Sequence, residues 1–163
     1  MTDELEKGET QAEVPVHTMP DDSPAWALAE RASWHLLDKT ARDIVVMDLR
    51  GRSDVCDFFV VASGQSDVHV KALGRQLPDG LYPAGHKPKG IEGMDDGRWV
   101  LLDFFDVVVH IFQEQTREYF QLEKLWGDAP RLDLAPKWFA SEAVQARHSD
   151  LTFTTLAGSD GAD

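Results

Sequence analysis

Three things are scarce in this chain of 163 residues: cysteine, positive charge and unbroken apolar sequence. The single cysteine, Cys56, excludes an intrachain disulfide and a cysteine-based zinc site of the usual kind. With 16 Lys+Arg against 29 Asp+Glu the formal net charge is -13. That is too acidic for a sequence-independent nucleic-acid binder, which needs cations to displace phosphate counterions. The longest mostly apolar stretch, Trp99 to Phe112, is interrupted by Asp103, Asp106 and His110. It falls short of the roughly 20 residues that a bilayer span requires. The N-terminus has no base-led apolar run, and its acidity is foreign to a transit peptide. These absences predict a soluble protein of a reducing cytosol, away from membranes.

A fourth absence bears on catalysis. The Gly64-Gln65-Ser66 turn falls after a strand pattern and before a helix pattern, where α/β proteins often hold phosphate. It matches neither the dinucleotide pattern nor the P-loop, because Lys71 lies five residues past Ser66. A plain helix N-cap is the simpler reading. A nucleotidyltransferase would also begin with Gly-Ser after a strand, but would then need two acids one residue apart, so that both carboxylates reach the same two metal ions. Between residues 23 and 130 no two Asp/Glu residues are separated by a single residue. Asp54/Asp57 and Asp103/Asp106 are three apart, and a regular strand points such pairs to opposite faces.

What is present is unevenly spread. Residues 1–22 carry seven acids and one base, residues 131–163 five acids and three bases, so segment 23–130 keeps only -5 of the charge. Residues 1–22 hold few large apolar side chains and predict a disordered acidic tail. Order is expected to begin at Ser23-Pro24, an N-cap followed by proline, with Trp26, Ala29, Leu36 and Leu37 at helical spacing. Strands are expected at Ile44 to Leu49 and Cys56 to Ala62, the second apolar on both faces and therefore central. A helix follows from Asp67 to about Leu77, stopped by Pro78-Asp79-Gly80. A breaker-rich loop then holds a short strand near Pro88 to Glu92. Arg98 to Asp103 and Val107 to Phe112 form a hairpin, and Glu114 to Trp126 one helix. The order predicts an α/β domain over 23–130, a mixed β-sheet flanked by helices. Beyond it, 131–163 reads as an extension with one short helix from Pro136 to about His148, then a tail.

Isolated residues offer little chemistry. Asp106 and His110 share strand parity and could form a metal site or an acid–base pair, though a structurally hydrogen-bonded imidazole is the plainer reading. His69 has no sequence-adjacent partner, and Cys56, at the start of an apolar strand, reads as a buried inert thiol. Trp99 and Trp126 stand at element ends, where tryptophan serves either core or partner. A sheet with aromatic residues and no catalytic set is a docking module more readily than an enzyme.

The run Ser53-Asp54-Val55-Cys56-Asp57-Phe58-Phe59-Val60-Val61-Ala62-Ser63-Gly64 is followed by Ser66-Asp67 and His69-Val70-Lys71-Ala72. Then come Gly90-Ile91-Glu92-Gly93, Trp99-Val100-Leu101-Leu102-Asp103-Phe104, Val107-Val108-Val109-His110-Ile111-Phe112, Arg117-Glu118-Tyr119 and Leu122-Glu123-Lys124-Leu125-Trp126. In this order, over roughly residues 26–130, they resemble the ribosomal silencing factor family, also called Iojap-like. The resemblance implies a nucleotidyltransferase-like fold without that superfamily's catalytic acids, no enzyme activity and no cofactor. It implies a cytoplasmic translation repressor, homodimeric when free, that binds the large ribosomal subunit through its protein numbered fourteen. Members block joining of the small subunit when nutrients are scarce, with ribosomal RNA at most peripheral. Carried over, the contact residues are Trp99, Leu101, Asp103, His110, Arg117, Glu118 and Tyr119. The competing class is an enzyme, either a residual nucleotidyltransferase or a metal-dependent hydrolase using Asp106 and His110. The break at Pro78-Asp79-Gly80 departs from the family's regular helix, and nothing transfers to 1–22 or 131–163.

Overall fold

Ser23 opens the first helix as an N-cap: its Oγ accepts the Trp26 N–H at 3.1 Å, with Pro24 at the first helical position. In the computed structural model, which describes residues 19–153, helix α1 is Pro24–Asp38, followed by strands β1 (Arg42–Asp48) and β2 (Phe58–Gly64). Helix α2 is Asp67–Leu81, and β3 (Gly90–Glu92), β4 (Trp99–Asp103) and β5 (Val107–Gln113) follow. Two short helices, α3 (Glu114–Phe120) and α4 (Leu122–Leu125), precede β6 (Arg131–Asp133) and α5 (Glu142–Arg147). The expected tail over 1–22 falls mostly outside the described residues. Its last part is held: Met19 packs on the core, and Asp21 accepts from Ser23 and pairs with Arg50.

The six strands form one mixed sheet in the order β3-β4-β5-β2-β1-β6. The two expected hairpins, β1–β2 and β4–β5, are antiparallel, and they meet along the parallel β2–β5 pair, where Phe58 stands opposite Val107 and Gly64 opposite Gln113. Strand alternation then divides the side chains. Ile44, Val46, Phe58, Val60, Ala62, Val100, Leu102, Val109 and Ile111 point to the side covered by α1 and α2. Val45, Met47, Val61, Val108 and Phe112 point the other way. Val60 and Val61 are both fully buried, as the Phe-Phe-Val-Val run predicts for a central strand.

Four expected elements differ from the sequence reading, and β6 was not expected at all. Helix α2 runs through Pro78 to Leu81 rather than stopping at Leu77. Leu77 and Leu81 are both buried, so continuing the helix removes a further leucine from water. Gly80 supports the same turn by lying under the His35 ring, whose atoms would stand 2.7 Å from an added Cβ. Second, the single helix over Glu114–Trp126 is two pieces, broken at Gln121 in the left-handed region (φ 49). Third, β2 begins at Phe58, not Cys56. Fourth, the helix expected over Pro136–His148 is a 3₁₀ turn, Pro136–Ala140, then α5 capped anew by Ser141.

Residues past Pro130 are built into the body of the protein. Strand β6 pairs with β1, Leu132 opposite Val46. Phe139 is fully buried, its ring tilted against Trp34 with centroids 5.6 Å apart, and Phe153 lies 4.7 Å from the same indole. A buried carboxylate latches this strap to α1. Glu30 accepts from Trp138 Nε1 at 2.7 Å, from Arg147 Nε at 2.8 Å and from His148 Nε2 at 2.9 Å. Burial alone would raise its pKa, but the bonds from His148, Arg147 and Trp138 outweigh that and hold it at about 2. Next to it, Arg31 forms a two-pronged pair with Asp150 and donates to the Gly80 carbonyl.

Candidate functional site

The face of the sheet away from α1 and α2 is only partly roofed. Leu122 of α4, with Trp126 and Ala129 just past its end, packs against Val45, Met47 and Val61 on the β1–β2 side, and α3 lies against β5 and β2. Toward β4, alternation brings Trp99, Leu101 and Asp103 to the surface in a row, each half-buried, beside His110 and Phe112 of β5. Phe59 of β2 and Trp126, their rings 6.1 Å apart, close the other side of this aromatic floor. Phe120 of α3 lies 5.0 Å from Trp99 and is half exposed, while the neighbouring Tyr119 is 81% exposed.

His110 organises this floor. Its Nδ1 accepts the Trp99 indole N–H at 3.1 Å, its ring meets Phe59 edge-on at 4.4 Å, and burial holds its pKa down to about 4. Trp99 is held from below by Phe112, ring centroids 4.7 Å apart. At the turn end, Asp103 Oδ1 accepts the Phe105 N–H at 2.8 Å. Phe105 itself is more than half exposed in the left-handed region (φ 75), with the Lys89 ammonium over its ring.

The seven contact residues carried over by resemblance therefore separate into two sets. Trp99, Leu101, Asp103 and His110 form one contiguous patch. Arg117 is spent inside the protein: it donates to Ser63 Oγ and the Asp43 carbonyl, both at 2.8 Å, and pairs with Glu123 at 2.7 Å. Burial pushes the Glu123 carboxyl up, and the bond and charge of Arg117 pull it below its usual range. Glu123 reaches Arg117 because the chain turns at Gln121; on an unbroken helix the two would lie on different sides. Glu118 and Tyr119 are exposed beside this clamp. Phe59 and Phe120 were missed by sequence reasoning, although the parity of Phe59 with the buried Val61 carried a signal, while Trp126, read as serving core or partner, packs at the edge of this floor.

The acid–base pair of the alternative reading, Asp106 with His110, is not assembled, and the plainer reading, a hydrogen-bonded imidazole, is what His110 shows. Asp106 lies in the turn before β5 begins at Val107, so the assumed shared strand parity fails, and no hydrogen bond joins it to His110. Among the described residues no three His, Cys, Asp or Glu side chains stand in a metal-binding group. His69 has partners its sequence neighbourhood did not reveal: Nδ1 accepts the Gln65 N–H at 2.9 Å, and Nε2 lies 2.9 Å from the Lys39 carbonyl. It ties the end of α1 to the start of α2, where Ser66 is the N-cap. Cys56 is buried and its thiol is pushed up to about 12, by burial first and then by Asp57, Asp103 and Asp106. A cleft of about 500 Å³ beside β6, lined mainly by Leu37, Ala41, Ile44, Leu134 and Pro136, includes neither Asp106 nor His110. No helix among the described residues is long and apolar enough to cross a membrane.

A family model described as the ribosomal silencing factor during starvation matches residues 20–159. The ribosomal silencing factor RsfS of Bacillus subtilis is 48% identical over 97 residues, 60% of this chain and 82% of that one. A crystal structure of a Chromobacterium violaceum protein superposes with a TM-score of 0.63 at 32% identity, covering 69% of this chain and 94% of its own. One from Bacillus halodurans superposes at 0.58 and 37% identity, covering 66% and 97%. These likenesses carry the mixed α/β architecture with them.

Proposed function

The chain belongs to the ribosomal silencing factor family, and from that premise we propose that it docks on the large ribosomal subunit through the half-open sheet face. The surface engaged there is the large-subunit protein numbered fourteen. Occupying it excludes the small subunit and represses translation when nutrients are limiting. The protein works in the cytoplasm as a binding module and not as an enzyme, and the free form is a homodimer, since an exposed aromatic face favours self-association.

The observation that supports this reading best is the patch of Trp99, Leu101 and Phe120, held half-exposed by buried neighbours beneath it. A rigid aromatic group presented to solvent and framed by polar residues is the make-up of an interface anchor. Asp103, Glu118 and the overall net charge of -13 suit a basic ribosomal protein and disfavour the surrounding RNA. Arg117 serves this surface by positioning α3, and Glu118 and Tyr119 belong to its rim.

The test is a subunit-joining assay with purified subunits. Added protein lowers the yield of whole ribosomes in proportion to large-subunit occupancy, and undiminished joining at saturating concentration overturns the proposal. Replacing Trp99 with Ala weakens cosedimentation with large subunits by more than ~1 kcal/mol. Full cosedimentation of a folded Trp99→Ala protein removes Trp99 from the interface.

A further inference from the structure

A neutral imidazole has one N–H and one acceptor nitrogen. In His110 the acceptor is fixed: Nδ1 receives the Trp99 indole proton, so the ring's own proton sits on Nε2. Nε2 is buried and has no hydrogen-bond partner. Burial keeps the ring neutral, so Nε2–H is an orphaned donor at the centre of the aromatic floor. Leaving such a donor without a partner forfeits its hydration with nothing in return unless another state of the protein supplies an acceptor. The groups beside it differ in freedom. Val61 and Phe112 are fully buried and Trp99 is tied to Nδ1, so the half-buried Phe59 ring, edge-on to His110 at 4.4 Å, is the group whose displacement on docking opens Nε2 to a partner.

We propose that His110 Nε2–H is the polar anchor of the docking face, completed on binding by a main-chain carbonyl from a basic segment of the partner protein. This inference rests on the docking role assigned above. The carbonyl, rather than a carboxylate, follows from the charges nearby. Asp57, Asp103 and Asp106 gather at the β4–β5 turn end of this face, where all three act on the Cys56 thiol. The His110 ring is shifted by burial alone, so their charge acts on the approaching segment as a whole. Their field opposes an incoming carboxylate and favours a segment carrying Lys or Arg, while a neutral acceptor opposite a neutral donor pays no charge-desolvation penalty. His110 is thus a specificity element: it disfavours any partner that covers Trp99 and Leu101 with apolar atoms alone, because the donor would then stay unpaired.

The test compares two substitutions in the full chain, with purified large ribosomal subunits as the probe and urea denaturation as the check of folding. His110→Phe keeps an aromatic ring and deletes the donor. His110→Gln keeps both functions, since one amide accepts from Trp99 and donates outward. The expected result is a large-subunit Kd weakened roughly tenfold by Phe and within about threefold of the parent for Gln. Equal loss in both variants, or parental affinity in the Phe variant, overturns the anchor. Should the Phe protein not fold, His110→Leu takes its place with the same expectation. Leu101→Asp, run alongside, separates the two levels. If it abolishes binding while His110→Phe does not weaken it, docking stands and the anchor falls. If Leu101→Asp binds at parental strength, the docking face itself is wrong.

Discussion

Leu101 and Leu102 are neighbours in β4 and belong to two different surfaces. Leu102 is fully buried under α2, while Leu101 lies half-exposed between Trp99 and Asp103. The same contrast runs across the whole sheet. The covered face carries two long helices, a C-terminal strap and a buried charge network. The opposite face has two short helices over one end and an aromatic floor left open at the other. One face is saturated with contacts and its substitutions should register as lost stability. The other keeps unsatisfied apolar surface, and its substitutions should register as lost binding.

The largest effect is expected on the covered face. Glu30→Ala leaves Arg147 and His148 without their carboxylate, and should lower the unfolding free energy by about 3–5 kcal/mol in urea titrations while sparing large-subunit binding by the folded fraction. Leu102→Ala opens a cavity in the same layer and should cost about 2–4 kcal/mol. Arg117→Ala, on the other side, removes the clamp between α3, Ser63 and Glu123. The expected loss is about 2 kcal/mol, with Arg117→Lys restoring little because one ammonium cannot span the three acceptors.

Acid reaches both faces in the same window, through one fully or mostly buried imidazole each. His35, packed between α1 and α2, is held at about 4 by burial and then by the Arg31 charge, and His110 is held at about 4 by burial. Both lie below the ordinary 6.5, so the unfolded chain takes up the protons first. Stability is full above 6.5 and should fall by about 1 kcal/mol per imidazole by pH 5.5, read as a shift in urea midpoint. Glu30 adds its own loss only between 4.5 and about 2. The His110→Phe variant should flatten the first window by about half. The smallest change in stability is expected for Leu101→Ala, below ~1 kcal/mol, together with a clear loss of cosedimentation with large subunits.

The covered face was the more legible in sequence. The Ser23-Pro24 start, the Phe-Phe-Val-Val centre and both hairpins were readable because alternation and capping are local signals. Strand β6 was not, since Arg131-Leu132-Asp133 is too short to show a period and becomes a strand only by pairing with β1. The Gln121 break and the continuation through Pro78 were hidden for a related reason. Burial of Leu122 and Leu81, set by distant neighbours, outweighed local propensity. At the site, Trp99, Leu101 and Asp103 came from the resemblance, and it is the strand alternation of β4 that sets them in one row. The inward role of Arg117 could not, because its partners lie 54 and 74 residues away.

The Glu30 latch also bears on how the chain is made. Its partners are 108 to 118 residues downstream, and Trp138, Arg147 and His148 leave the ribosome long after α1 does. During synthesis α1 can pack on β1 and β2 early, but the side that later meets Phe139 and Phe153 has nothing to cover it. For that interval the nascent protein exposes Trp34 and an acid that has not yet met its bases, a state in which chains aggregate or recruit chaperones. A truncation before residue 138 would freeze the molecule there, so the segment from Trp138 to Phe153 completes the solubility of α1 as well as its packing.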